Sequence, residues 1–65
     1  MNNVKAYRKK MKLSRKELAN RTKLSMSYIY NVEIGKRIPR LSDACKIADA
    51  LNQSLDDLFP PLILK

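Results

Sequence analysis

Serine stands just ahead of a short amphipathic stretch at three places: Ser14 before Arg15-Lys16-Glu17-Leu18, Ser25 before Met26, and Ser54 before Leu55-Asp56-Asp57-Leu58. A serine so placed accepts a hydrogen bond from a free amide in a helix's first turn, and Glu17 can complete a reciprocal capping box with Ser14. Strand-like alternation is absent, so the chain reads as a succession of short helices. Asn2 or Asn3 can cap a first helix over 4–11, with Val4, Tyr7 and Met11 sharing a face and Leu13 turning inward in the connection. A second helix over 15–21 turns Leu18 and Ala19 inward, and Thr22-Lys23-Leu24 makes a tight turn.

The spacing predicts a third helix over 26–33. At about 100° per residue Ile29, Val32 and Glu33 gather in one sector. Ser27 and Asn31 point the opposite way, with Met26, Tyr28 and Tyr30 on the flanks. Gly35 suits a left-handed helix end, and Pro39 blocks further helix. A fourth helix over 41–51 turns Leu41, Ala44, Ile47, Ala48 and Leu51 to the core. A last short helix carries apolar Leu55, Leu58 and Phe59 before Pro60-Pro61 stops it. Domain organisation follows: a domain over 4–59, then an apolar C-terminal tail over 60–65 holding Leu62, Ile63 and Leu64.

With 65 residues there is room for one small core, burying only about 60% of the unfolded surface. One cysteine, Cys45, excludes an internal disulfide, and the absence of histidine removes the usual structural zinc sites. Cys45 reads as a small core or near-core residue. No apolar run approaches the ~20 residues that span a bilayer, and Met1–Lys12 lacks the apolar centre of a signal peptide. The expectation is a cytoplasmic protein without cofactor or metal.

Charge divides the chain. Residues 1–40 hold twelve Lys or Arg against Glu17 and Glu33, a net of +10; residues 41–65 hold Lys46 and Lys65 against Asp43, Asp49, Asp56 and Asp57, a net of −2, and together they give +8. A strongly basic half suits a polyanion. An enzyme is disfavoured: there is no histidine, no pair of carboxylates on one face and no phosphate-binding glycine loop. A membrane-surface helix is disfavoured by the narrow apolar stripe of the first twelve residues.

Two short helices joined by three or four residues, the second with a polar outer face, meet the demand of a helix-turn-helix that enters a major groove about 12 Å wide. Leu13-Ser14-Arg15-Lys16-Glu17-Leu18-Ala19, Leu24-Ser25-Met26-Ser27-Tyr28-Ile29 and Val32-Glu33-Ile34-Gly35-Lys36-Arg37-Ile38-Pro39 resemble the Cro/C1-type (XRE-like) repressor family. Cys45-Lys46-Ile47-Ala48-Asp49-Ala50-Leu51 and Ser54-Leu55-Asp56-Asp57-Leu58-Phe59 are similar to that family's last two helices. The resemblance implies an all-α, compact five-helix, lambda-repressor-like domain whose third helix reads double-stranded DNA, commonly as a homodimer.

Carried over by position, the resemblance puts Met26, Ser27 and Asn31 at base edges, with exposed Tyr30 a further candidate. Arg15, Lys36, Arg37 and Arg40 fall where phosphates are met. Ser14 at the second helix's start and Tyr28 are further phosphate candidates, although packing suits Tyr28 too, its hydroxyl toward the backbone. Arg8 and Glu33 fall where members form a salt bridge between the first and third helices. Two positions depart from the family pattern: Lys23 stands where glycine is common, and Ile34 where asparagine is common before Gly35.

The reading is a transcriptional regulator, a repressor acting as a homodimer on a pseudo-palindromic operator with half-sites about 34 Å apart. Leu55, Leu58, Phe59, Leu62, Ile63 and Leu64 are the expected dimer interface. No small-molecule ligand is expected. The alternative is a DNA-binding antitoxin, or a controller of a restriction–modification or mobile-element operon, with a protein partner at the C-terminal tail.

Overall fold

The computed structural model describes residues 2–60 and places five helices, with no strand, among them. They are α1 (Val4–Lys10), α2 (Arg15–Thr22), α3 (Met26–Glu33), α4 (Leu41–Leu51) and α5 (Leu55–Leu58). Ser14, Ser25 and Ser54 all cap. Ser14 Oγ accepts from Glu17 N at 3.0 Å while Ser14 N donates to Glu17 Oε1 at 2.7 Å, closing the box. Ser25 Oγ accepts from Tyr28 N at 3.0 Å, and Ser54 Oγ from Asp57 N at 3.1 Å.

The two asparagines do more than start α1. Asn2 Oδ1 accepts from Val4 N at 3.1 Å, and its amide donates to the Val32 carbonyl at 2.7 Å. Asn3 holds the cap position without a side-chain cap bond, and instead donates from its side chain to Asp57 O and from its backbone to Leu58 O, both at 2.8 Å. The beginning of the chain is thereby fastened to α3 and α5.

Val4, Leu18, Ile29, Val32, Ile47, Leu51 and Leu58 are fully buried and come from all five helices. Removing each such side chain from water contributes roughly 1.5–3 kcal/mol before the entropy of ordering is subtracted. α2 packs against both α3 and α4, which sets the two-helix unit on the rest of the domain.

Several expected positions move. Met11 is exposed, because α1 ends at Lys10 and Lys12 turns left-handed with φ 59°; Arg8 takes the inner face instead. Leu41 is 71% exposed rather than in the core, because it lies about 70° off the stripe of Ala44, Ile47, Ala48 and Leu51 in α4's first turn. Cys45 is exposed, being still further round the same helix. Leu58, expected at a subunit interface, is fully buried within its own domain, since it is the one inward side chain of α5.

Candidate nucleic-acid interface

α3 owes its start to Ser25 and its orientation to Ile29 and Val32, both at zero exposure. With those side chains inward, Met26, Ser27 and Tyr30 stand exposed and Asn31 half-exposed along the outer side. α2 approaches α3 through Lys23, whose φ of 61° and ψ of 31° make the left-handed corner that glycine would make without a Cβ clash. Leu24 N then donates to the Ala19 carbonyl at 3.1 Å. Beyond α3 the backbone is tied down by its own end. Gly35, with φ 80°, donates to Val32 O at 3.1 Å, and Lys36 N and Arg37 N donate to Asn31 O at 2.9 and 3.1 Å.

Arginines are held on both flanks of this helix. On one side Arg8 Nε meets Glu33 Oε2 at 2.6 Å, and its NH1 donates to the Leu13 carbonyl at 2.9 Å, all of it buried. The other oxygen of Glu33 receives Arg15 Nε at 3.3 Å, and the Arg15 guanidinium lies 5.0 Å from the Tyr30 ring centroid. Glu33 is therefore neutralised twice, as a buried carboxylate must be. Arg8 is spent inside the fold, whereas the Arg15 side chain keeps a third of its surface in solvent. Arg15 consequently reaches the surface from a fixed point.

On the other side the Arg37 guanidinium lies 5.0 Å from the Tyr28 ring, and the Tyr28 hydroxyl donates to Asp43 Oδ2 at 2.8 Å. Asp43 is buried at 3% exposure and also draws Arg40 Nε to 3.5 Å. The Tyr28 hydrogen bond, and after it the Arg40 charge, hold the Asp43 carboxyl below its ordinary value. Burial, and after it the bond to Asp43, pushes the Tyr28 phenol up. The Tyr28 hydroxyl gives its one proton to this carboxylate and also takes a backbone hydrogen bond from Arg40, in keeping with the packing role, hydroxyl toward the backbone, expected of Tyr28. Sequence alone does not single out Asp43, because an acidic residue in a helix's first turn looks like an ordinary N-terminal charge until a tyrosine from another helix stands against it.

Ser14 keeps its hydroxyl proton, since its oxygen acts as acceptor in the capping box. The backbone amide of Ser14, then its hydroxyl, lower the Glu17 carboxyl. That leaves the Ser14 hydroxyl proton and the Arg15 and Lys16 amides, with the Arg15 guanidinium, as what this helix end can offer an anion. Lys36 and Arg37 are exposed just past α3, and Arg40 is 80% exposed along its side chain.

Away from these residues an apolar groove of about 320 Å³ runs between the α3–α4 connection, the start of α4, and α5; Ile38, Leu41, Leu55 and Phe59 are among its walls. Leu55 and Phe59 are half-buried there, while Ile38 is 89% exposed. Sequence alone gives Ile38 no place and puts Leu41 on the inward stripe of α4; the signal for the surface was Ile38 lying in a connection with no helical stripe to join and Leu41 at the edge of its own. Leu62, Ile63 and Leu64 lie outside the described residues. Among those described, no helix is long and apolar enough to cross a membrane, and no group of three or more His, Cys, Asp or Glu is placed to hold a metal ion.

A short capped helix with a polar outer side, arginines fixed on both flanks, and a second capped helix packed behind it through a left-handed corner define a helix-turn-helix DNA-binding domain. The family model described as "Helix-turn-helix" matches residues 4–58, and the chain belongs to this Cro/C1-type, XRE-like family of DNA-binding transcriptional regulators. No individual curated protein matches it.

Proposed function

We propose that the protein binds double-stranded DNA sequence-specifically and represses transcription as a homodimer, by occupancy rather than chemistry. The observation that carries the reading is the outer strip of α3, Met26, Ser27, Tyr30 and Asn31, bounded by arginines that are already fastened in place. Asn31 has the donor and acceptor for a bidentate bond to adenine N7 and N6, and Met26 the apolar tip for a thymine methyl. Ser14, Arg15, Lys36, Arg37 and Arg40 serve the phosphates, which set register and affinity without reading sequence. Two such domains related by a twofold axis read half-sites about 34 Å apart, or a multiple of that.

The dimer reading rests on the groove walls, Leu55 and Phe59 with Ile38 and Leu41, and on the apolar sequence that follows Pro60. The same groove favours a second reading, an operon controller or antitoxin whose C-terminal side also meets a different protein.

Selection from random duplex DNA, followed by binding against salt, tests this. A pseudo-palindromic site should emerge, with log K falling against log salt by about 0.9 per phosphate contact. Asn31→Ala should relax sequence preference, whereas Arg37→Ala should weaken all duplexes alike and reduce the slope by about one contact. Absence of enrichment, or binding indifferent to salt, would remove DNA reading from the protein's function.

A further inference from the structure

We propose that Asp43 and Tyr28 are positioning residues for the DNA backbone, holding Arg40 and Arg37 in the orientation that phosphates meet while touching no DNA themselves. The inference rests on the DNA-binding reading above and deepens its phosphate side. The connection between α3 and α4, residues 34–40, carries Lys36, Arg37 and Arg40 without regular structure. Its first half is anchored by the bonds of Gly35, Lys36 and Arg37 to the end of α3. In its second half the Arg40 backbone is bonded to the Tyr28 hydroxyl and to Ala44 N, and Arg40 occupies the cap position of α4 without a side-chain cap bond.

What gathers this segment is one carboxylate. Asp43 Oδ2 receives the Tyr28 hydroxyl at 2.8 Å and Arg40 Nε at 3.5 Å, while Oδ1 draws Lys46 Nζ to 4.0 Å. Tyr28, held by that bond, presents its ring to Arg37 at 5.0 Å. Two arginines of one loop are thus referred to one buried point, which is itself tied to α3. Long side chains lose rotamer freedom when a ligand fixes them, so arginines ordered before binding lose less on contact. Arg40 approaches Asp43 through Nε and remains 80% exposed, which leaves its outer N–H groups for a phosphate.

Simple charge counting gives the opposite sign, and that makes the idea testable. Replacing an anion beside a polyanion site by a neutral amide should strengthen DNA binding if charge alone matters. Positioning requires the reverse. The experiment is a set of double-mutant cycles over Asp43→Asn, Tyr28→Phe and Arg40→Ala, each protein checked for folding by circular dichroism. Binding is measured at several salt concentrations to the duplex that the unaltered protein prefers. Asp43→Asn should weaken binding several-fold with the ranking of sequences unchanged. Arg40→Ala should then cost clearly less in the Asp43→Asn background than alone, and Tyr28→Phe should add nothing to Asp43→Asn.

Equal or tighter binding by Asp43→Asn, or losses that multiply independently, would overturn the proposal. A Tyr28→Phe loss undiminished in the Asp43→Asn background would make Tyr28 a direct phosphate contact instead. Should Asp43→Asn fail to fold, Tyr28→Phe against Arg40→Ala carries the same test, because it keeps both the ring and the carboxylate. An unaltered protein that binds no duplex ends both this proposal and the function it rests on; binding that survives with Asp43→Asn unweakened ends this one alone.

Discussion

Lys23 shows how a single residue can carry a local cost for the sake of a corner. Its φ of 61° is in the left-handed region, where a Cβ crowds the following carbonyl and costs about 1–2 kcal/mol. The corner cannot relax, since Leu18 and Ala19 on one side and Ile29 on the other are buried and fix where α2 must stop and α3 begin. Lys23→Gly should remove the crowding and give back part of the gain through the greater freedom of glycine in the unfolded chain. The expected net effect is a stabilisation of about 0.5–1 kcal/mol, or a rise in Tm of roughly 2–8 °C for a domain of this size. A thermal melt decides it, and a lower Tm would mean that the lysine side chain contributes more than the corner costs.

Among elements, the link between α1 and α3 is the one whose loss should be felt furthest. Arg8 and Glu33 are both buried, and Arg15 from α2 shares the same carboxylate, so three helices meet at one ion cluster. Glu33→Gln would leave the Arg8 guanidinium buried without its counter-charge, at a cost of about 3–5 kcal/mol. A domain this small has roughly 3–10 kcal/mol in total. Urea titration should therefore find Glu33→Gln largely unfolded or with its midpoint greatly lowered. The pair Arg8→Met with Glu33→Leu should recover much of the loss, because it removes both charges together. A Glu33→Gln protein as stable as the parent would show that the cluster adds little beyond packing.

At the scale of the whole molecule the balance of charge sets the acid limit. Asp43 and Glu17 are both held below their ordinary carboxyl values, by the Tyr28 hydroxyl and by the Ser14 amide respectively. A carboxylate whose folded value is depressed contributes stability that is present above its unfolded value and is lost as pH falls through the folded one. The loss is therefore expected below about pH 4, with little change between about pH 5 and 7. Repulsion adds to it, since fourteen Lys and Arg then face six carboxyl groups that are losing their charge. Urea midpoints measured across this range check the expectation, and Asp43→Asn should make the acid limb shallower. A midpoint flat down to pH 3 would mean that neither bond distinguishes folded from unfolded chain.

The sequence by itself determined the five helices, because caps and turns act within a few residues. Ser14 with Glu17, Ser25, Ser54 and Gly35 mark ends through bonds between near neighbours, and the inward stripe of α3 repeats at helical spacing. The family motif, and with it the residues proposed to read DNA, was legible for the same reason. The Arg8–Glu33 pair, 25 positions apart, was legible through the family resemblance and is present in the fold. Only the tertiary structure decided that Tyr28 and Asp43, 15 positions apart, meet, because a hydroxyl aimed at a carboxylate of another helix is fixed by the crossing of the helices. Tertiary packing also turned Leu58 inward and left Leu41 and Ile38 on the surface. A core this small has one inner side per helix, and periodicity in a first turn or a loop cannot tell which side that is.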